Sequence, residues 1–192
     1  MADWNTLVEL LHRQVTGERL AHTYRVLELA RLLGRTHGAD DGQVAVAALM
    51  HDYAKPLPPE RLLREAERLG LPIHPVERAE PHLLHGPVAA GLLREQGLVT
   101  DPDVLQAIGT HTTGRAGMSL LEKILYVADY AEPGRRFPGA EAVRAVAVQD
   151  LDRALLDSLN NSLVYLVGQG WLIHPASVDA RNWLLQRRNG PE

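Results

Sequence analysis

A chain of 192 residues with 45% hydrophobic and 23% charged residues has the balance of an ordinary globular protein, long enough for one well-buried core. Its formal charge of −4 argues against a broad electrostatic footprint for nucleic acid, and the absence of cysteine excludes disulfides, thiolate metal sites and cysteine nucleophiles. Nothing near Met1-Ala2-Asp3-Trp4 resembles a signal peptide and no apolar run reaches membrane-spanning length, so a cytoplasmic protein with no membrane partner is expected.

From Trp4, apolar residues recur at Leu7, Val8, Leu11 and Val15, one face of a helix that Thr16-Gly17 ends. A second helix is predicted from Glu18 to His37, with His22 in its first turns and Gly38 as its stop. Asp40, with Gln43 three residues later, caps a third helix that is apolar almost all round from Val44 to Met50, and such a helix belongs in the core. It ends in His51-Asp52. Pro56, Pro58 and Pro59 then break the chain before a polar helix over Glu60 to Leu69, and Pro72, Pro75 and Pro81 mark an exposed loop. Helical spacing resumes around His85-Gly86-Pro87 through Leu93. Asp101-Pro102 starts a helix carrying Val104, Leu105 and Ile108 and running toward His111. Ser119 and Glu122 form a capping box for a helix whose apolar residues surround a single carboxylate, Asp129. Further helices are predicted over Ala140 to Val148, Leu151 to Val167 and Ser177 to Gln186. Long alternating runs are absent, so the expectation is an all-α chain forming one domain over residues 1–192.

The polar residues in or at the ends of apolar helices are His22, His51, Asp52, His85, His111 and Asp129. Buried polar groups need partners, and four imidazoles with two carboxylates suit a pair of divalent ions. One allocation places His22, His51, Asp52 and Asp129 on a first ion, with Asp52 bridging to a second held by His85 and His111. Nitrogen and oxygen donors without thiolate favour iron, manganese or zinc over calcium and do not choose among the three. His82 is an alternative to His85, whereas His12, His37, His74 and His174 read as surface or capping residues. Glu132, one turn after Asp129, reads as a partner of a ligand, a general acid or a plain helix-end carboxylate.

In this order the residues resemble the two-metal form of the HD-domain superfamily of metal-dependent phosphohydrolases. The strings His51-Asp52-Tyr53-Ala54-Lys55, Leu84-His85-Gly86-Pro87, His111-Thr112-Thr113-Gly114-Arg115 and Ala128-Asp129-Tyr130-Ala131-Glu132-Pro133 are similar to those of its YqeK branch. The resemblance implies a helical bundle with a dinuclear, iron-containing centre and symmetrical hydrolysis of dinucleoside tetraphosphates, diadenosine tetraphosphate giving two ADP. A hydroxide bridging the two ions would be the nucleophile, with Asp52 and Lys55 as catalytic residues. Lys55, Thr112, Thr113, Gly114, Arg115 and Arg135 are then the residues expected to hold the polyphosphate. Arg136 follows Arg135 where the family string leads us to expect an acidic or neutral residue, so two arginines compete for one role. The competing functions are hydrolysis of a mononucleotide or guanosine alarmone, and metal-dependent nucleotide binding without turnover. Apolar helix faces near the carboxyl end leave room for a homodimer.

Overall fold

The computed structural model describes residues 2–189, so residues 1 and 190–192 of the expected domain lie outside the described residues. Eleven α-helices and one 3-10 turn, with no strand, make up the regular structure of the described residues. In chain order they are α1 (Trp4–Gln14), α2 (Gly17–His37), α3 (Asp41–Met50), α4 (Pro59–Arg68), α5 (Pro75–Ala79), the 3-10 turn Pro81–Leu84, α6 (His85–Glu95), α7 (Pro102–Thr110), α8 (Leu120–Ala131), α9 (Ala140–Ala147), α10 (Leu151–Gln169) and α11 (Pro175–Asn189).

The core is built around α3. Every residue from Val44 to Met50 is buried, and the helix packs against α1, α2, α7 and α8. Its small residues Ala45, Ala47 and Ala48 allow neighbours to come close, as does Gly34 of α2, where an added Cβ would stand 3.1 Å from a Val44 methyl. The side chain of Asp40 caps α3 by accepting from Gln43 N–H at 2.8 Å. Gln43 does not return the bond to Asp40; its amide donates instead to Asp101 Oδ2 at 2.9 Å, tying the start of α3 to the cap of α7.

Two proline-rich segments differ from expectation. Residues 75–79, expected to be loop, form the short helix α5, because His74 Nδ1 accepts from Val76 N–H while Glu77 accepts from the His74 backbone N–H. This is a capping box in which an imidazole does the work usually given to a hydroxyl or carboxylate. Pro81–Leu84 continues as the 3-10 turn that leads into His85.

The capping box at α8 does more than start a helix. Glu122 is buried, accepts from Ser119 N–H at 2.7 Å, and takes both Arg115 Nε and Nη2 at 2.7 Å on its two oxygens. Burial pushes its carboxyl up, but Arg115, the Ser119 amide and the Thr110 hydroxyl more than reverse this, so it titrates below its ordinary value of 4.5. A carboxyl depressed on folding adds stability that is fully present above its unfolded value and fades as pH falls through its folded value. Glu122→Gln should therefore cost roughly 1–3 kcal/mol near neutrality, and the gap between the two proteins should close as pH falls below about 4.5. Thermal melts across pH check it; a gap that stays constant into acid would show that the charge is not what matters.

Val164, Val167, Trp171 and Leu172 are more than half exposed at the end of α10 and just beyond it. This is the face that the sequence offers to a second copy.

Candidate metal centre

Six side chains from five elements meet at one end of α3. His51 and His111 are the residues at which α3 and α7 stop, and His85 opens α6 directly after the 3-10 turn. In each case the imidazole Nδ1 lies against the backbone carbonyl three residues earlier: Ala48 O at 2.8 Å for His51, Ile108 O at 2.7 Å for His111, and His82 O for His85. Carbonyls in the last turn of a helix lack an intrahelical donor, and an Nδ1–H supplies one. The bond also fixes the tautomer: with Nδ1 protonated, Nε2 keeps its lone pair and points away from the helix. His22, inside α2, has its Nδ1 3.1 Å from Glu132 Oε1 instead of a helix-end carbonyl.

The four Nε2 atoms converge on the two carboxylates. Asp52 Oδ2 stands 3.9 Å from His22 Nε2 and 3.7 Å from His51 Nε2. Its other oxygen, Oδ1, is 3.2 Å from His85 Nε2 and 3.8 Å from His111 Nε2. Asp129 Oδ1 completes the first group, 3.1 Å from His22 Nε2 and 4.0 Å from His51 Nε2. Asp52 thus faces two halves of one cluster. His51 Nε2 is central, within 4.8 Å of the ligand atoms of His22 and Asp129 and also of those of Asp52 and His111.

Close packing makes this meeting possible. A Cβ on Gly86 would stand 2.8 Å from Ile108 O and 3.2 Å from His111 Nδ1, so only glycine lets α6 approach the end of α7 closely enough for His85 and His111 to face each other.

The donor set fits divalent cations, and two features of the cluster are compatible with one. His51 Nε2 is fully buried with no hydrogen-bond partner. His85 Nε2 and His111 Nε2 are 3.0 Å apart, yet both rings have committed their Nδ1–H to carbonyls, so two lone pairs face each other. A shared cation relieves both. The electrostatics agree: burial, followed by the charges of its neighbours His85 and His51, brings the His111 imidazole down to about 3, a neutral donor at pH 7. Burial pushes the Asp52 and Asp129 carboxyls up, but the surrounding imidazoles more than reverse this and hold both well below the usual carboxylate range. Both are ionised.

The residues expected to hold phosphate divide. Thr112 Oγ1 is 3.3 Å from both His85 Nε2 and His111 Nε2, and Lys55 Nζ lies 3.5 Å from His85 Nδ1, its ammonium pushed down chiefly by burial. Arg135 donates to Asp129 Oδ1 at 2.9 Å and to the Asp129 carbonyl at 3.1 Å. Arg136 is exposed, which separates the two arginines. Thr113, Gly114 and Arg115 have other contacts. Thr113 O accepts from Ser177 Oγ at 2.8 Å, a Cβ on Gly114 would meet Ala180 and Met118, and the Arg115 fork is committed to Glu122. These three tie the loop after α7 to α8 and to α11.

His82 turns outward toward Glu80 at 3.4 Å and contributes only its backbone carbonyl. His12 bonds Tyr24, His37 bonds the Ala147 carbonyl, and His74 and His174 accept from backbone amides, so none of the four joins the cluster.

Sequence reasoning missed Arg19, whose Nη1 donates to Asp52 Oδ2 at 2.8 Å. Its place one turn before His22, on the same face of α2, was the available signal. Also missed was the cleft beside Asp129 and Arg135, about 750 Å³ in volume, whose walls include Tyr130, Phe137, Asn161 and Tyr165. Here the signal was thin: tyrosines flanking Asp129 at helical spacing, and Asn161 in the mixed α10.

An all-helical chain whose imidazoles and carboxylates converge in this order belongs to the HD domain family, whose pattern matches residues 19–134. It is 42% identical over 173 residues to the symmetrical bis(5'-nucleosyl)-tetraphosphatase of Bacillus subtilis, covering 90% of this chain and 92% of that protein. With the protein of the same name from Halalkalibacterium halodurans the identity is 41% over 178 residues, covering 93% and 95%. Its fold is also that of a Clostridium acetobutylicum protein described as an HD superfamily hydrolase involved in NAD metabolism, with a TM-score of 0.94, 36% identity, and 97% and 99% of the two chains covered.

Proposed function

We infer that this chain is a symmetrical bis(5'-nucleosyl)-tetraphosphatase, hydrolysing diadenosine tetraphosphate to two ADP. The observation that carries the metal chemistry is the position of Asp52, with one oxygen facing His22 and His51 and the other facing His85 and His111. Near-identical length and more than 40% identity with relatives of that name support the substrate. We assign His22, His51, Asp52, His85, His111 and Asp129 as ligands of two ions and iron as the metal, with manganese and zinc as ions that the same nitrogen and oxygen donors accept. Cations held there supply acidity to water and charge to the phosphoryl oxygens at neutral pH.

The surrounding side chains set where the polyphosphate lies. Arg19 and Lys55 sit on the Asp52 side and Arg135 on the Asp129 side, so positive charge flanks the cluster on both sides. A tetraphosphate laid across this row places a central phosphoryl group over the cluster and keeps its outer charges on cationic side chains. Thr112 offers a hydroxyl at the same point. Beyond Arg135 the cleft has the volume of a small-ligand site and aromatic walls, and Tyr130 and Phe137, with ring centres 4.9 Å apart, give one nucleoside a stacking face. Cutting at the central bridge leaves equal halves. No helix among the described residues is long and apolar enough to cross a membrane, and this reading carries with it the cytoplasm, where nucleotides are made and consumed.

Anaerobic incubation of iron-loaded protein with diadenosine tetraphosphate, with chromatography of the products, tests the assignment. ADP as the sole product is expected. AMP with ATP would remove the symmetry, and an intact dinucleotide beside a consumed mononucleotide or guanosine alarmone would keep the HD chemistry and replace the substrate.

A further inference from the structure

Three of the four imidazoles lean on a carbonyl three residues back, where a helix or the 3-10 turn ends, and the fourth does not. His22 lies within α2, where the preceding carbonyls are already taken by the helix, so its Nδ1 needs a partner from elsewhere. That partner is Glu132, separated from it by 110 residues of chain.

Glu132 is fixed from several directions. Its side chain is 2% exposed; Oε2 takes Arg25 Nε at 2.6 Å and the Gly134 N–H, and Oε1 takes His22 Nδ1. Arg25 stands one turn after His22 on the same helix, and its other arm donates to Glu18 at 2.6 Å. Arg144 holds the backbone of the same segment, donating to the Ala131 carbonyl at 2.6 Å and the Glu132 carbonyl at 3.3 Å. The role of general acid does not fit this placement. Glu132 faces the Nδ1 edge of His22, whereas Asp129 lies at the Nε2 edge, 3.1 Å away.

We propose that Glu132 is a positioning residue that makes the metal centre unequal, strengthening the half built by His22, His51 and Asp129. A carboxylate is a stronger acceptor than a backbone carbonyl, so it draws the Nδ1 proton further and leaves more electron density on the opposite nitrogen. His85 and His111, both on carbonyls, lack this gain. The proposal rests on the metal reading given above.

Its test is metal binding rather than turnover. Metal-stripped wild type, Glu132→Gln and Glu132→Ala are titrated with Mn2+, bound ion is counted after equilibrium dialysis, and folding is checked by circular dichroism. Gln keeps the volume and an oxygen acceptor, so the fold survives while the charge is lost. We expect wild type to hold two ions and Glu132→Gln to release one of them at an Mn2+ concentration about 10- to 100-fold higher, the other being unchanged. Glu132→Ala should release the same ion at higher concentration still, and His22→Ala should lose it. Two ions held as in wild type by a folded Glu132→Gln, or both weakened together, would overturn the inequality. A folded wild type that binds no Mn2+ would instead overturn the metal reading itself.

Discussion

Replacing Asp52 by Asn is expected to lower hydrolysis of diadenosine tetraphosphate at least about 10^3-fold, the equivalent of several kcal/mol of lost transition-state stabilisation. The size follows from position. Asp52 is the only one of the six side chains whose two oxygens face different imidazole pairs, Oδ2 toward His22 and His51 and Oδ1 toward His85 and His111. Asn keeps the shape but brings one oxygen and one amide N–H2 and carries no charge, so one half of the cluster loses its anionic donor and the other meets a hydrogen-bond donor where it needs an acceptor. Both halves are damaged by one substitution. His22→Ala should be milder in metal content, since it removes a donor from one half only. The amide can donate to imidazole lone pairs, so the variant should fold. Rates of ADP release and metal content measured on the same preparation check this, and a variant that retains wild-type rate within tenfold would remove Asp52 from the chemistry.

How much of this was legible beforehand depended on whether a residue's partner was near it in sequence. The continuous apolar run Val44–Met50 could only be a core helix, and the Ser119–Glu122 box announced α8 by chemistry confined to four residues. The six candidate ligands were visible because each is a polar residue in or beside an apolar helix, where it must be used. Their tautomers were not visible, since a backbone carbonyl three residues back acts on Nδ1 only once the helix has ended at the histidine. Arg115 shows what a local reading leaves out: beside Thr112 and Thr113 it read as a phosphate clamp, Glu122 was counted as a cap alone, and the structure pairs the two side chains through both arms of the guanidinium. The cleft was hidden by distance: Tyr130 on α8 and Asn161 on α10 are far apart in the chain and meet only when the two helices pack. A propensity-based reading also passes over α5, whose cap is a histidine.

Stripping the metal should leave a folded protein that melts about 10–20 °C lower. The residues that fill the core, among them Leu7, Leu33, Leu49, Met50, Ile108 and Leu125, are apolar and fully buried, so the fold has its own apolar support. The cluster is different. It gathers His51 Nε2 without a partner and two imidazole nitrogens 3.0 Å apart, an arrangement that would oppose folding and that bound cations would relieve. An ion that binds only the folded chain stabilises it by about 2.7 kcal/mol when free ion exceeds its dissociation constant 100-fold, so two ions contribute about 5 kcal/mol. For a chain of this size each kcal/mol shifts the melting point by roughly 2–4 °C. The shift should return on adding Fe2+, Mn2+ or Zn2+ and hardly at all with Mg2+, which prefers oxygen to imidazole. Hydrogen exchange should localise the loss to the ends of α3 and α7 and the start of α6, where His51, His111 and His85 hold the helix-end carbonyls in place. Scanning calorimetry of chelated and reloaded protein decides the matter; melting points within about 2 °C of each other would mean that the six side chains do not bind metal as a unit.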